Sequence, residues 1–308
     1  MYVQTVTRVP RVTRRGRTRT ADPAELDVPL AQGRRLSPNL LDRYVEEMRL
    51  RNYSPRSIKT YRSCIRQFLV HCLPRHPRDV SSASIRAFLL AQLEAGKSRS
   101  RIDQHISALR LLYIDLYRRD DAALGIVRPK REQKLPDVPT RAEILGMADA
   151  VTNRKHRLAI LFLYATGLRV SELVAADVGD LAPDRLSFLV RGGKGRKDRR
   201  TVVAASLTDQ LEWLVFGRPA HAPLFPSRDG TRWTARSVQR VVSAAAGKAG
   251  LLKTVSCHSL RHAFATHLLE GGTPLVHIQG LLGHRSINTT TRYIRMVDPA
   301  AAHIASPL

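Results

Sequence analysis

Between residues 37 and 119 apolar side chains recur at three- and four-residue spacing, the period of a helix with one buried face. Ser54 followed by Pro55 reads as an N-cap and first helical residue, and Ile58, Tyr61, Ile65, Phe68 and Leu69 continue along one face. Ile85, Phe88, Leu89 and Leu93 predict a second stripe. Ile102, Ile106, Leu109, Leu112, Tyr113 and Leu116 predict a third. Stripes of this kind bury one another, so this half is expected to be a small helical bundle.

The pattern then changes. Pro129, Pro136 and Pro139 stand among charges and discourage continuous helix, which reads as a linker. Thr140 is placed to cap a new helix, and a strongly apolar helix over about 158–165 is ended by Gly167. Two β-like runs, 186–190 and 201–204, flank Gly192, Gly193, Lys194, Gly195, Arg196 and Lys197, which predicts a β-hairpin with a basic, glycine-bearing tip. Beyond it the chain reads as helical, with breaks at 219–226, Gly250, 271–274 and Gly283. The expected fold is mainly α with a small β-sheet (α+β). It is divided into an arm (1–36), a helical domain (37–122), a linker (123–139), a mixed domain (140–297) and an Ala-rich tail (298–308).

Charge narrows the partners. Of 308 residues, 51 are Lys or Arg and 26 are Asp or Glu, a net charge of +25 that favours polyanions and puts nucleic acid first. An anionic membrane would also attract such a charge. No run of about 18 apolar residues exists to span a bilayer, and the N-terminus has no apolar signal core. Cys64, Cys72 and Cys257 are odd in number and scattered, which argues against a disulfide framework and a cysteine metal site and fits a reducing cytoplasm. Arg8, Arg11, Arg14, Arg15, Arg17 and Arg19 make the arm basic, either for phosphate contact or as a solvated leader. Arg56, Lys59, Arg62, Lys97, Arg99 and Arg101 lie beside the helical stripes and face either DNA or only water.

Four segments carry candidate chemistry: Thr166-Gly167-Leu168-Arg169, the hairpin tip with Lys194, His258-Ser259-Leu260-Arg261-His262, and Leu282-Gly283-His284 followed nine residues later by Tyr293. A GxxxxGK[ST] phosphate loop is absent, so nucleotide hydrolysis has no support. The stretches ATGLRVSEL, GGKGRKDR, HSLRHAFATHLLEGG and LLGHRSINTTTRY, in this order, resemble the tyrosine recombinase family, which includes phage integrases and Xer-type enzymes. The likeness runs from about residue 37 to 297. It implies a helical core-binding domain of SAM-like type and a mixed catalytic domain that together clamp DNA.

The chemistry fits independently of the likeness. A phosphodiester gains charge on its non-bridging oxygens as it is attacked, and planar guanidinium groups such as Arg169 and Arg261 bind those oxygens in bidentate fashion. A tyrosine hydroxyl titrates near pH 10 and is a poor nucleophile until nearby positive charge and a base activate it. The resemblance assigns Tyr293 as nucleophile, His258 as base or hydrogen-bond partner, Lys194 as general acid and His284 as a phosphate donor near a helix start. Lys197, on the same tip, is the rival to Lys194. The implied reaction links the DNA 3′ phosphate to Tyr293, frees a 5′ hydroxyl and needs no cofactor, metal or ATP. The implied partners are double-stranded DNA bearing a recombination site and a synapse of four protomers, with the free protein monomeric or weakly associated.

Other readings stand beside this one. His258 and His262 share a helix face and suggest zinc, but Ser259 occupies the place of the glutamate in HExxH. A type IB topoisomerase would use a similar residue set to relax DNA, and a regulator with this fold would bind without cutting. Arg292, Ile294 and Arg295 flank the tyrosine where many relatives carry Thr-His after it, which leaves the target sequence open.

Overall fold

A computed structural model describes residues 39–119, 125–126, 128, 137–192, 198–283 and 290–291. The arm, most of the linker, the hairpin tip with Lys194 and Lys197, the segment bearing His284 and Tyr293, and the tail with its Ala-rich run lie outside the described residues. The chain divides into two compact units, Met1–Glu132 and Gln133–Leu308.

The first unit is helical. α1 (Leu40–Leu50), α2 (Pro55–Cys72), α3 (Ser82–Glu94) and α4 (Arg99–Arg110) carry it, and α4 runs on as a π-helical turn over Leu111–Leu116. Ser54 caps α2 by accepting from the Ser57 N–H, with Pro55 at its start, as the sequence predicts. Phe68, Phe88 and Tyr113 form the centre, Phe68 packing edge-on to Phe88 with centroids 5.2 Å apart. Two buried hydroxyls reach distant backbone carbonyls of the same unit: Tyr44 donates to Ala108 O (3.0 Å) and Tyr113 to Pro77 O (2.7 Å). Leu93 departs from its predicted place. It sits in the last turn of α3 and is 42% exposed, because the stripe Ile85-Phe88-Leu89 already fills the inward face and the helix ends one residue later.

The second unit wraps a small sheet in helices: α5 (Arg141–Asp149), α6 (Arg154–Thr166), α7 (Val170–Ala175), α8 (Thr208–Val215), α9 (Ala235–Lys248), α10 (Cys257–Glu270) and α11 (Leu275–Leu282). Thr140 caps α5 in a reciprocal box with Glu143. β1 (Leu181–Ala182), β2 (Ser187–Val190) and β3 (Arg199–Val202) form an antiparallel sheet in the order β1-β2-β3. β3 starts two residues before the predicted run. Arg199 and Arg200 pair with Val190 and Leu189, a strand role that an apolar pattern does not reveal. α6 is the buried axis of this unit, and Phe162 meets Phe188 of β2 edge-on at 5.4 Å.

Candidate active site

Two helices bring the motifs together. α6 ends at Gly167, whose φ of 62° is open to glycine and strained for other residues. The chain then turns directly into α7, so Arg169 occupies the N-cap position of α7 and Glu172 its third residue. α10 packs against α6 and is capped by Ser256, which exchanges hydrogen bonds with Ser259. His258 and Arg261 therefore lie on the first turns of α10, facing the end of α6.

Glu172 is the centre of the arrangement. Its Oε2 accepts the backbone N–H of Arg169 (2.8 Å), and its Oε1 accepts the Arg169 guanidinium (2.7 Å). Arg199 grips both oxygens, Nη1 to Oε1 at 2.9 Å and Nη2 to Oε2 at 2.8 Å, and Arg261 Nη1 lies 3.8 Å from Oε2. Burial alone would raise the Glu172 pKa. The bonds from Arg199 and the Arg169 N–H, with both arginine charges, outweigh that and hold it at about 2. Three guanidinium groups against one carboxylate leave two positive charges in surplus among the described residues.

Arg261 is 1% exposed and donates through Nη1 to Gly167 O and through Nη2 to Leu282 O, both at 2.6 Å. It joins the end of α6 to the end of α11. Arg169 keeps a quarter of its side chain in solvent, 26%, while its Nη1 holds Glu172. His258 is exposed beside them. Partial burial of its ring, then the charges of Arg261 and Arg169, lowers its pKa, so the ring is neutral at neutral pH and ready to accept a proton.

The sequence-derived site thus meets at Arg169, His258 and Arg261, while Lys194, His284 and Tyr293 fall outside the described residues. Gly283 is the left-handed C-cap that ends α11. The expectation that His284 lies near a helix start falls outside the described residues. Glu172 and Arg199 escaped the sequence reading although both stand inside the quoted motifs. An acidic residue three positions after Arg169 was the available signal for a capping carboxylate.

His258 and His262 have ring centroids 4.2 Å apart, yet among the described residues no group of three or more His, Cys, Asp or Glu side chains is placed to hold a metal ion. Arg56, Lys59, Arg62, Lys97 and Arg99 are exposed in the first unit. Arg101 is half-buried and bonds Gln104 and Ser63, tying α4 to α2. No described helix is long and apolar enough to cross a membrane.

Known proteins bear on these observations. A family model described as phage integrase family matches residues 140–298, and one described as phage integrase, N-terminal SAM-like domain, matches residues 40–121. Tyrosine recombinase XerD of Oceanobacillus iheyensis is 35% identical over 230 residues, covering 70% of this chain and 77% of that protein. Tyrosine recombinase XerC of Pelobacter propionicus is 35% identical over 270 residues, covering 79% and 85%. The crystal structure of XerA recombinase matches with a TM-score of 0.50 at 28% identity, over 86% of this chain and 95% of that one. A lambda integrase tetramer bound to a Holliday junction matches with a TM-score of 0.71 at 19% identity, over 87% and 78%, and bears on the fold alone. With the motif arginines gathered on one carboxylate and both halves matched, the chain belongs to the phage integrase family of tyrosine recombinases, enzymes that cleave and rejoin DNA strands at specific sites.

Proposed function

We propose that Tyr293 is the nucleophile of strand exchange on double-stranded DNA. Arg169, Arg261 and His284 hold the scissile phosphate, His258 accepts the tyrosine proton, and Lys194 protonates the leaving 5′ oxygen. The Tyr293 oxygen bonds to phosphorus as the bond from phosphorus to the 5′ oxygen breaks. The 3′-phosphotyrosine keeps the bond energy, so the freed 5′ hydroxyl of a partner strand reverses the step without ATP or metal.

The observation that carries this reading is that Arg169 and Arg261 share buried Glu172 while His258 feels both arginine charges, from positions spread over 93 residues between 169 and 261. A surplus of positive charge in a partly dry setting stabilises the charge that gathers on an attacked phosphate. The first unit, through Arg56, Lys59, Arg62, Lys97, Arg99 and Arg101, is assigned to DNA binding over 37–122, and 140–297 to catalysis. Lambda integrase is known as a dimer on a core site and a tetramer on a Holliday junction. A synapse of four protomers with two successive exchanges is the corresponding assembly here, built from subunits that are monomeric or weakly associated in the cytoplasm.

Short nicked duplexes tiled across the DNA flanking the gene supply the test. Native protein is expected to trap a covalent adduct on one of them, and Tyr293→Phe to abolish it. An adduct that survives the substitution removes Tyr293 as nucleophile, and binding without any adduct removes the strand-cutting role.

A further inference from the structure

Arg199 closes the basic hairpin motif, and three parts of the site meet in its side chain. Its backbone belongs to β3, the strand that leaves the tip bearing Lys194. Its guanidinium takes both oxygens of Glu172, and its Nε donates to Leu281 O at 2.8 Å, in the last turn of α11. Gly283 stands over it so closely that a Cβ there would lie 2.8 Å from the Arg199 Cδ. The side chain is 9% exposed, so its bonds face little competition from water.

Arg261 makes a parallel tie, reaching Leu282 O and the same carboxylate. The division of labour differs. Arg199 makes the close contacts to Glu172, at 2.8 and 2.9 Å, where Arg261 approaches only to 3.8 Å. A planar guanidinium can satisfy a carboxylate with two parallel bonds while a third N–H points to a carbonyl, which a single ammonium does not match. We propose that Arg199 is a positioning residue for strand cleavage: it locks the hairpin strand, the carboxylate that orients Arg169, and the end of α11 leading to His284 into one frame. Its own donors are directed at Glu172 and Leu281, so it acts on the scissile phosphate through its neighbours. This inference rests on the strand-cleavage reading of the site.

The experiment measures single-turnover adduct formation at saturating protein, DNA affinity and melting temperature, on the nicked duplex that the native chain cleaves. Arg199→Gln and Arg199→Lys are both expected to lower the saturated rate by roughly 100-fold, the penalty of a small misplacement of reacting groups. Affinity should stay within about twofold of native, because binding is assigned elsewhere on the protein. A role in stability alone would lower the melting temperature while leaving the saturated rate of folded protein native, which overturns the proposal. Lysine cleaving at the native rate overturns it as well, since charge without the fork would then suffice. If Arg199→Gln does not fold, Arg199→Lys, with its charge kept beside Glu172, carries the comparison. Absence of adduct from the native chain would sink the strand-cleavage reading and this inference with it. Native cleavage with unaffected Arg199 variants sinks this inference alone.

Discussion

Gly167 and Phe264 stand so close that a Cβ on the glycine would lie 2.3 Å from Cδ1 of the ring. The contact lets α10 press against the end of α6, and it brings Arg261 within reach of the Gly167 carbonyl. The left-handed backbone at Gly167 and the ring beside it thus impose the same requirement from two directions.

Gly167→Ala is therefore expected to be costly. A left-handed conformation costs an L-residue about 1–2 kcal/mol, and overpacking adds roughly 1–3 kcal/mol. Both tryptophans, Trp213 and Trp233, lie in the second unit, so urea unfolding followed by tryptophan fluorescence reports this region. A loss of about 3 kcal/mol is expected, and a loss under about 1 kcal/mol would show that the ring yields.

His258 should titrate below the ordinary imidazole value of 6.5. Burial is the larger cause and the arginine charges the smaller. Arg169→Met should consequently raise the value without restoring it fully. Proton NMR of the His258 ring in both proteins checks this. A native value above 6.5, or no rise in the variant, contradicts the charge coupling.

Two buried groups should add acid sensitivity in different windows, His105 of the first unit in an upper one and Glu172 of the second in a lower one. His105 is 1% exposed, and neither ring nitrogen has a hydrogen-bond partner among the described residues. Burial, then the Arg101 and Lys97 charges, lowers its pKa from 6.5 to about 4. The unfolded chain therefore takes up a proton that the folded one refuses. Stability is full above about pH 6.5 and falls toward pH 4, by up to about 1.4 kcal/mol per pH unit. Glu172 is held at about 2 against an ordinary 4.5, so its contribution persists above pH 4.5 and is lost between 4.5 and about 2. His105→Leu should stabilise the first unit by about 1 kcal/mol at neutral pH, since it removes an unsatisfied buried polar group. It should also flatten the upper acid window in circular dichroism, leaving the lower one, seen by tryptophan fluorescence, unchanged. Equal acid sensitivity with and without His105 would refute the assignment.

By itself the sequence determined the local features. The Ser54-Pro55 start of α2, the Thr140 box, the apolar α6 with its Gly167 stop, the hairpin about Gly192 and the break at Gly283 all depend on near neighbours. Caps, turns and amphipathic periods are interactions over a few residues, which is why they are legible along the chain. The motifs in order also identified the family, and the surplus of basic side chains the class of partner. Only the tertiary structure decided that Glu172 is shared by arginines at 169, 199 and 261, that Arg261 is buried and bonded to carbonyls of two helix ends, and that the ring nitrogens of His105 lie in a core without a hydrogen bond among the described residues. Hydrophobic period reports which face of an element is apolar. Which distant polar groups meet there depends on how α6, α10, α11 and β3 pack, and that is settled by side-chain shape across the core and by the need to pair every buried charge.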